Sequence, residues 1–293
     1  MLGEVLTAIV TPFNGDGSVN VDRFRELATY LVDHGSDGIV VAGTTGESPT
    51  LSDDEKLELF AAALDAVGDR ATVVAGTGTY DTRHSMRLTE SAHELGVDGM
   101  LVVTPYYSKP PQRAIVRHFQ EIAAKTDKPV VVYNIPGRVV INIEPETIEQ
   151  LAQIDNVKAV KQANDDLDQA RRIPGFGLDL YAGDDNLIFP FLGLGGVGGV
   201  CVHTHIWGPQ TKAMVRRYKD GDVEGARALN AEMAPAFDLL KVVTNPIAIK
   251  TALNLLGHEV GGFRLPMVDP SDAELEQIRA CLERAGVLTT ASA

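Results

Sequence analysis

The strongest constraint on the fold is an alternation that runs the length of the chain. Short β-branched runs recur at Leu6–Val10, Gly38–Val41, Thr72–Ala75, Met100–Val103, Val130–Tyr133, Val157–Lys161, Leu178–Ala182 and Val197–Val202, each followed by a helical pattern or a loop. Most of these runs are apolar at successive positions instead of every second one. Such a strand is buried on both faces, as in a parallel sheet covered by helices. The runs start about 20–35 residues apart, the size of one βα unit. Eight units suit a (β/α)₈ barrel better than a doubly wound sheet, which ordinarily needs fewer.

An internal repeat supports the barrel. Gly35-Ser36-Asp37-Gly38-Ile39-Val40-Val41 matches Gly96-Val97-Asp98-Gly99-Met100-Leu101-Val102, with a weaker echo at Gly196-Val197-Gly198-Gly199-Val200-Cys201-Val202. Each reads as a tight helix-to-strand turn in which glycine permits a positive φ. The helices carry their own signals. Val21, Phe24, Leu27, Ala28 and Leu31 recur at helical spacing. Ser52 with Glu55, and Ser271 with Glu274, form capping boxes ahead of apolar stripes. From Asp222 onward only helical patterns remain: Asp222–Val242, Asn245–Leu256 and Ser271–Ala285. The expected organisation is a barrel over 1–221 that carries the active site, and a helical region over 222–293 packed on it.

Composition narrows the function. Acidic residues outnumber basic ones 40 to 26, a formal net charge of −14 that repels nucleic acid. The two cysteines, Cys201 and Cys281, form neither a disulfide framework nor a zinc cluster, so a reducing compartment fits. Residues Met1 to Val10 lack a basic leader region and read as a first strand. No apolar run reaches the roughly 18–20 residues of a membrane span. A cytoplasmic location follows, with neither membrane nor nucleic acid as a partner.

Reactive groups of such a barrel gather at the C-terminal ends of its strands. The second strand ends in Gly43-Thr44-Thr45-Gly46-Glu47, whose backbone N–H groups can hold a carboxylate and whose hydroxyls can pass a proton. The alternative is an ordinary glycine-rich turn. The fourth ends in Thr104-Pro105-Tyr106-Tyr107, where packing is the simpler role for a tyrosine pair. After the fifth, Tyr133 can serve as an acid or base, and Arg138 can bind a carboxylate bidentately. The sixth strand carries Lys158 and Lys161 within an apolar run. Burial disfavours an ammonium, by up to about 3–5 pK units, and so frees a neutral amine nucleophile. Lys161 lies nearer the strand's C-terminal end and is preferred over Lys158; the plain alternative is a lysine that snorkels to water.

Two patterns mislead. Gly193-Leu194-Gly195-Gly196-Val197-Gly198 spells a dinucleotide fingerprint but precedes a strand instead of following one. His203-Thr204-His205 suggests a metal pair, yet no nearby cysteine, histidine or carboxylate in the sequence completes a set.

Taken in order, Gly43-Thr44-Thr45-Gly46-Glu47, Thr104-Pro105-Tyr106-Tyr107, Tyr133-Asn134-Ile135-Pro136-Gly137-Arg138, Lys161 and Gly183-Asp184-Asp185 resemble the dihydrodipicolinate synthase and N-acetylneuraminate lyase family over essentially the whole chain. The resemblance implies a lyase that holds pyruvate as a Schiff base on Lys161. Thr44 and Thr45 would bind the pyruvate carboxylate. Tyr133, Thr45 and Tyr107 would form a proton relay, with Tyr107 reaching in from a neighbouring subunit. Main-chain groups at Gly183 and Val200 would shape the pocket. No cofactor or metal is implied. Assembly as a homotetramer, a dimer of dimers, is. Arg138 favours members that condense pyruvate with aspartate 4-semialdehyde, in the diaminopimelate and lysine route. A sugar-acid lyase of the N-acetylneuraminate or 2-keto-3-deoxygluconate type is the alternative, and a catalytically silent keto-acid binder the remote one.

Some positions depart from the family pattern. Gln162 stands where an acidic residue is usual, Asn164 replaces Ser or Thr, and His203 to His205 replace small and amide residues. Relatives regulated by lysine bind it at the subunit interface, using histidines where this chain has Asp53 and Lys56. Tyr80 and His84 also differ there from the usual Asn and Glu, while Ser48 and Tyr106 remain. Lysine inhibition is therefore expected to be weak or absent.

Overall fold

The computed structural model describes residues 2–288, and all eight runs form parallel strands that close on one another. The first half of the chain alternates β1 (Val5–Ala8), α1 (Val21–Asp33), β2 (Gly38–Val41), α2 (Asp53–Val67), β3 (Thr72–Gly76), α3 (Thr82–Leu95), β4 (Gly99–Val103) and α4 (Gln112–Ala123). The second half adds β5 (Val130–Asn134), α5 (Pro136–Val139), α6 (Pro145–Leu151), β6 (Val157–Gln162), α7 (Leu167–Arg172), β7 (Asp179–Ala182), α8 (Ile188–Leu192), β8 (Gly198–Cys201) and α9 (Thr204–Lys219). The barrel closes where Leu6 on β1 pairs with Val200 on β8. The architecture is the (β/α)₈ barrel that the alternation implied.

Strand parity divides the core into two shells. Leu6, Ala8, Val40, Val74, Leu101, Val131, Tyr133, Ala159 and Val200 fill the barrel. Val5, Ile39, Val41, Val73, Met100, Val130, Val132 and Val160 face outward against the helices. Each fully buried aliphatic side chain contributes about 1.5–3 kcal/mol, so apolar residues predominate on both faces of the strands. The unbroken apolar runs are the sequence trace of that burial.

The turn signals hold in two repeats and shift in the third. Gly35 (φ +100°) and Gly96 (φ +90°) lie in the left-handed region, as expected. In the third, that region is taken by Gly195 (φ +87°) instead of Gly196. Gly196 answers to a different need: a Cβ there would stand 2.7 Å from the Phe191 carbonyl oxygen. Both capping boxes form, at Ser52 with Glu55 and at Ser271 with Glu274.

Beyond the barrel lie α10 (Val223–Glu232), α11 (Ala234–Val242), α12 (Ile247–Leu255) and α13 (Asp272–Arg284). The single helix expected over Asp222–Val242 is two, broken at Met233, because Pro235 in the first turn of α11 has no N–H to continue α10. Helix α13 packs on α11 and α12, and α12 on α9. No described helix is long and apolar enough to cross a membrane. Met1 and residues 289–293, the ends of the expected first strand region and of the 222–293 region, lie outside the described residues.

Candidate active site

Tyr133 on β5 and Lys161 on β6 are direct register partners. Both sit at inward positions of the pleat, so their side chains enter the barrel at its C-terminal mouth. Lys161 is 4% exposed, and its Nζ stands 4.1 Å from the centroid of the Tyr133 ring. Lys158 precedes it by three residues, which on a strand means the opposite face; it is exposed at the start of β6. Parity, more than burial alone, separates the two lysines. Thr104 steadies the tyrosine, donating from Oγ1 to the Tyr133 carbonyl at 3.0 Å.

The loop after β2 brings Thr44 and Thr45 to the same mouth. It is tied down from the far end of the chain. Asn245 Nδ2 donates to Thr45 Oγ1 at 2.9 Å. Glu47 adopts a left-handed conformation (φ +55°), accepting from Lys250 Nζ at 2.9 Å and from the Arg264 backbone N–H at 3.1 Å. Lys250 is fully buried, 4.1 Å from the Phe13 ring centroid; burial pulls its pKa down, against the opposing charge of Glu47. A left-handed glutamate is uncommon, and here both its carboxylate oxygens hold it in place.

Together these elements enclose a cavity of about 400 Å³ lined by Thr44, Thr45, Tyr133, Arg138, Lys161 and Gly183, and closed by Phe237, Leu240, Lys241 and Val243 to Asn245 from the helical region. A narrower space of about 210 Å³ adjoins it, sharing Thr44, Tyr133 and Arg138 and reaching Tyr106. Gly183 must be glycine, since a Cβ would lie 2.7 Å from that of Ala163. Arg138 reaches the Asn245 carbonyl at 3.2 Å. Among the described residues neither Arg138 nor Lys161 has a carboxylate partner. Asn245 Oδ1 is buried without a partner among the described residues. Among the described residues the wall thus presents the cations Lys161, Arg138 and, from the helical region, Lys241 without carboxylate partners, and an unmet acceptor, a set suited to a ligand with carboxylates and an amine.

Two carboxyls line the same cavity. Asp184 is pushed up by burial and by the adjacent charge of Asp185. Asp185 is buried too, which raises it, but its pairing with His203 and its hydrogen bonds win and its pKa falls. Its Oδ1 accepts from the backbone N–H groups of Val202 and His203, each at 2.7 Å, and from His203 Nδ1. His203 Nε2 lies 2.6 Å from Thr211 Oγ1. Here the sequence reading is corrected: Asp185, Cys201 and His203 do gather into a potential metal-ligand set. His203 Nδ1 and Asp185 Oδ1 already satisfy each other, and burial pushes the Cys201 thiol up, so the group fits a hydrogen-bonded pair better than a metal. His205 is separate: its Nδ1 faces the Val202 carbonyl at 2.7 Å, and its Nε2 accepts from the Val10 N–H at 3.1 Å.

The structure therefore gathers Lys161, Tyr133, Thr44, Thr45, Arg138 and Gly183 around one cavity. It leaves two expected residues elsewhere. Val200 points into the barrel interior and Val202 takes the lining position. Tyr107 is 93% exposed and stands outside the cavity of its own chain. Asn245, Lys250 and Asp184 went unassigned in the sequence. A lysine inside the apolar stretch Ile247–Leu253 was the available signal for Lys250.

Fold and site define a (β/α)₈ barrel with a buried lysine at its mouth, facing a cavity that Thr44, Thr45 and Arg138 also line. The chain belongs to the dihydrodipicolinate synthetase family, whose model matches residues 1–285. It is 49% identical to the 4-hydroxy-tetrahydrodipicolinate synthase of Moorella thermoacetica over 290 residues, 98% of this chain and 99% of that one. Among solved structures, the DHDPS of Cyanidioschyzon merolae with lysine bound superposes with a TM-score of 0.96 at 42% identity, covering 98% of this chain and 99% of that one. The chloride-inhibited dihydrodipicolinate synthase of Acinetobacter baumannii in complex with pyruvate gives 0.95 at 31% identity, covering 98% of this chain and all (100%) of that one.

Proposed function

We propose that this chain is an aldolase-type lyase that condenses pyruvate with L-aspartate 4-semialdehyde through a Schiff base on Lys161. The product is 4-hydroxy-tetrahydrodipicolinate, in lysine and diaminopimelate biosynthesis. One observation carries the reading: Lys161 sits beside Tyr133 in a cavity that Arg138 also lines, and among the described residues Arg138 has no carboxylate partner. Full-length likeness to synthases of that name, one of them solved with pyruvate, supports it.

The chemistry runs on the chain's own residues. Thr44 and Thr45 hold the pyruvate carboxylate. The Lys161 amine adds to the ketone, and water leaves to give an iminium. Loss of a methyl proton gives an enamine, whose carbon attacks the aldehyde of the second substrate, held through its carboxylate by Arg138. The substrate's own amine then displaces Lys161 and closes the ring. Tyr133 carries protons in the first and last steps. Splitting one carbon–carbon bond formation into these stages lowers each barrier. The protonated imine is the electron sink, so the route calls on no cofactor or metal. Main-chain groups at Gly183 and, from behind the lining, Val200 shape the pocket.

Tyr107 completes the relay with Thr45 and Tyr133 from a neighbouring subunit, a role that suits a tyrosine almost wholly in solvent on its own chain. The assembly is then a homotetramer of tight dimers, with the 1–221 barrel carrying the site and the 222–293 region closing it. A cytoplasmic location suits the free, buried Cys201 and Cys281.

The test is reduction with borohydride in the presence of pyruvate, with the adduct located by peptide mass spectrometry, followed by assay of aspartate semialdehyde consumption against sugar-acid cleavage. A pyruvate adduct on Lys161 together with semialdehyde consumption is expected. Cleavage of N-acetylneuraminate or 2-keto-3-deoxygluconate instead would move the chain to the sister lyases, and an adduct confined to Lys158 would overturn the site.

A further inference from the structure

Tyr133 and Lys161 each have a neighbour on the opposite face of the pleat. Those neighbours, Asn134 and Gln162, are themselves register partners across β5 and β6, and both are fully buried. They form the centre of a closed set of side-chain amides. Asn134 Nδ2 donates to Gln162 Oε1 at 3.1 Å and to Asn142 Oδ1 at 2.8 Å. Gln162 Nε2 donates to Asn164 Oδ1 and to Gln169 Oε1, each at 2.8 Å. Asn164 Nδ2 also donates to Gln169 Oε1, at 3.1 Å.

The direction of every bond is pinned from outside the set. The Ile143 N–H donates to Asn134 Oδ1 at 3.0 Å, and the Asp166 N–H to Asn164 Oδ1 at 3.2 Å. Gln169 Nε2 donates to the Ile143 carbonyl. Turning any one amide over would bring donor against donor or oxygen against oxygen. Gln162 must therefore accept on one side and donate twice on the other. With Asn164 and Gln169 as its partners in this chain, an ionised carboxylate, which only accepts, cannot take its place.

The same set grips both ends of the loop that carries Arg138. Asn134 begins that loop, while Asn142 and Ile143 end it. Gln112 braces its far side, donating to the Asn142 carbonyl at 2.8 Å and accepting from the Glu144 N–H at 3.1 Å.

We infer that Gln162, with Asn134 and Asn142, positions the catalytic groups: the amide network holds the ends of β5 and β6 and the Arg138 loop in one arrangement without touching substrate. The inference rests on the Schiff-base role of Lys161 proposed above. The titratable and charged groups on the elements around Gln162 are Tyr133, Arg138 and Glu144 on β5 and its loop, Lys158 and Lys161 on β6, Asp165 and Asp166 before α7, Asp168, Arg171 and Arg172 on α7, Asp179 and Tyr181 on β7, and Asp184 after it. None bonds to the Gln162 amide, whose partners are all amides. The network itself is therefore silent to pH.

The experiment is Gln162→Glu, read by the rate of pyruvate adduct formation on Lys161 and by kcat and KM from about pH 6 to pH 8.5. With the introduced carboxyl ionised at the alkaline end, two oxygens face a carboxylate, and adduct formation should fall about tenfold or more below the unsubstituted protein. At the acid end the same carboxyl, once protonated, can donate once and accept from Asn134, so the ratio should recover to within about threefold. KM for aspartate semialdehyde should rise more than KM for pyruvate, because the Arg138 loop loosens. Asn164→Asp, at the half-buried edge of the network, should show the same sign of pH dependence at about threefold, and it keeps the test alive if Gln162→Glu does not fold. A variant-to-unsubstituted ratio flat in pH, or lowered thermal stability with an unchanged adduct profile, would overturn the positioning role. An unsubstituted protein that forms no adduct on Lys161 would instead remove the functional reading, and this inference with it.

Discussion

The two ends of the barrel treat their charges in opposite ways. At the N-terminal end a cluster of charged groups is paired within the protein. Asp37 accepts from the backbone N–H groups of Glu4 and Val5 at 2.8 and 3.0 Å, and Lys212 Nζ lies 2.7 Å from both its oxygens. Lys219 pairs with Glu4 at 2.9 Å, and Tyr181 donates to the Gly3 carbonyl at 2.8 Å. At the C-terminal mouth, among the described residues, Lys161 and Arg138 lack carboxylate partners and Asn245 Oδ1 lacks a donor. A fold gains stability where polar groups are satisfied internally, and it binds where they are left for a ligand. One sheet supplies both ends because its parallel strands all point their carboxyl ends the same way.

The largest expected effect tests this contrast directly. Lys161→Ala should abolish the pyruvate adduct and lower kcat/KM by at least about a thousandfold, whereas Lys158→Ala should leave both within about twofold. Similar losses from the two would break the distinction between mouth and base.

The second effect concerns the buried Lys250–Glu47 ion pair near the mouth. Lys250→Met leaves Glu47 buried and uncompensated and should destabilise the fold by about 3–5 kcal/mol in urea unfolding. Glu47→Gln combined with Lys250→Met should recover most of that. If the single variant were as stable as the parent, the pair would not be holding the Thr44–Thr45 loop.

Acid titration should separate the ends by pH. At the mouth side, burial holds the His205 pKa down from 6.5 to about 4, so its unfolded form binds a proton that the folded form refuses. Stability present above about pH 6.5 is then lost as pH falls toward 4, by about 3 kcal/mol in all. At the base, the Asp37 pKa is lowered: burial raises it, but Lys212 and two backbone donors outweigh that. Its contribution is present above its ordinary 3.8 and disappears only as pH falls below that value. Thermal melts of His205→Gln and Asp37→Asn across pH should remove the earlier and the later loss respectively, and reversed order would sink the assignment.

The smallest effect is regulatory. Lys56 is buried with its Nζ 3.8 Å from Asp53, while His84 Nε2 lies 2.8 Å from both Asp53 oxygens. Tyr80 meets Tyr106 edge-on, with ring centroids 5.3 Å apart. With two basic side chains turned on one carboxylate, low-millimolar lysine should change the initial rate by less than about twofold, since like charges oppose its amine. Strong inhibition would show that the pairing rearranges to admit lysine.

The sequence by itself determined whatever depends on short-range periodicity and local chemistry. Unbroken apolar runs marked the strands, because both faces of a barrel strand are buried. Ser52 and Ser271 marked helix starts, because a cap acts within one turn. Lys161 stood out because an ammonium in an apolar run needs a reason, and Arg138 because a guanidinium past a strand end can clamp a carboxylate. Tertiary structure alone decided the contacts between distant segments. Asn245 meets Thr45 across 200 residues and Lys250 meets Glu47 across 203, and neither separation leaves a periodic trace. The pairing of Asp185 with His203, the inward turn of Val200 and the amide network behind Lys161 belong to the same class. They depend on which strands become neighbours when the barrel closes, and closure is a property of the whole chain.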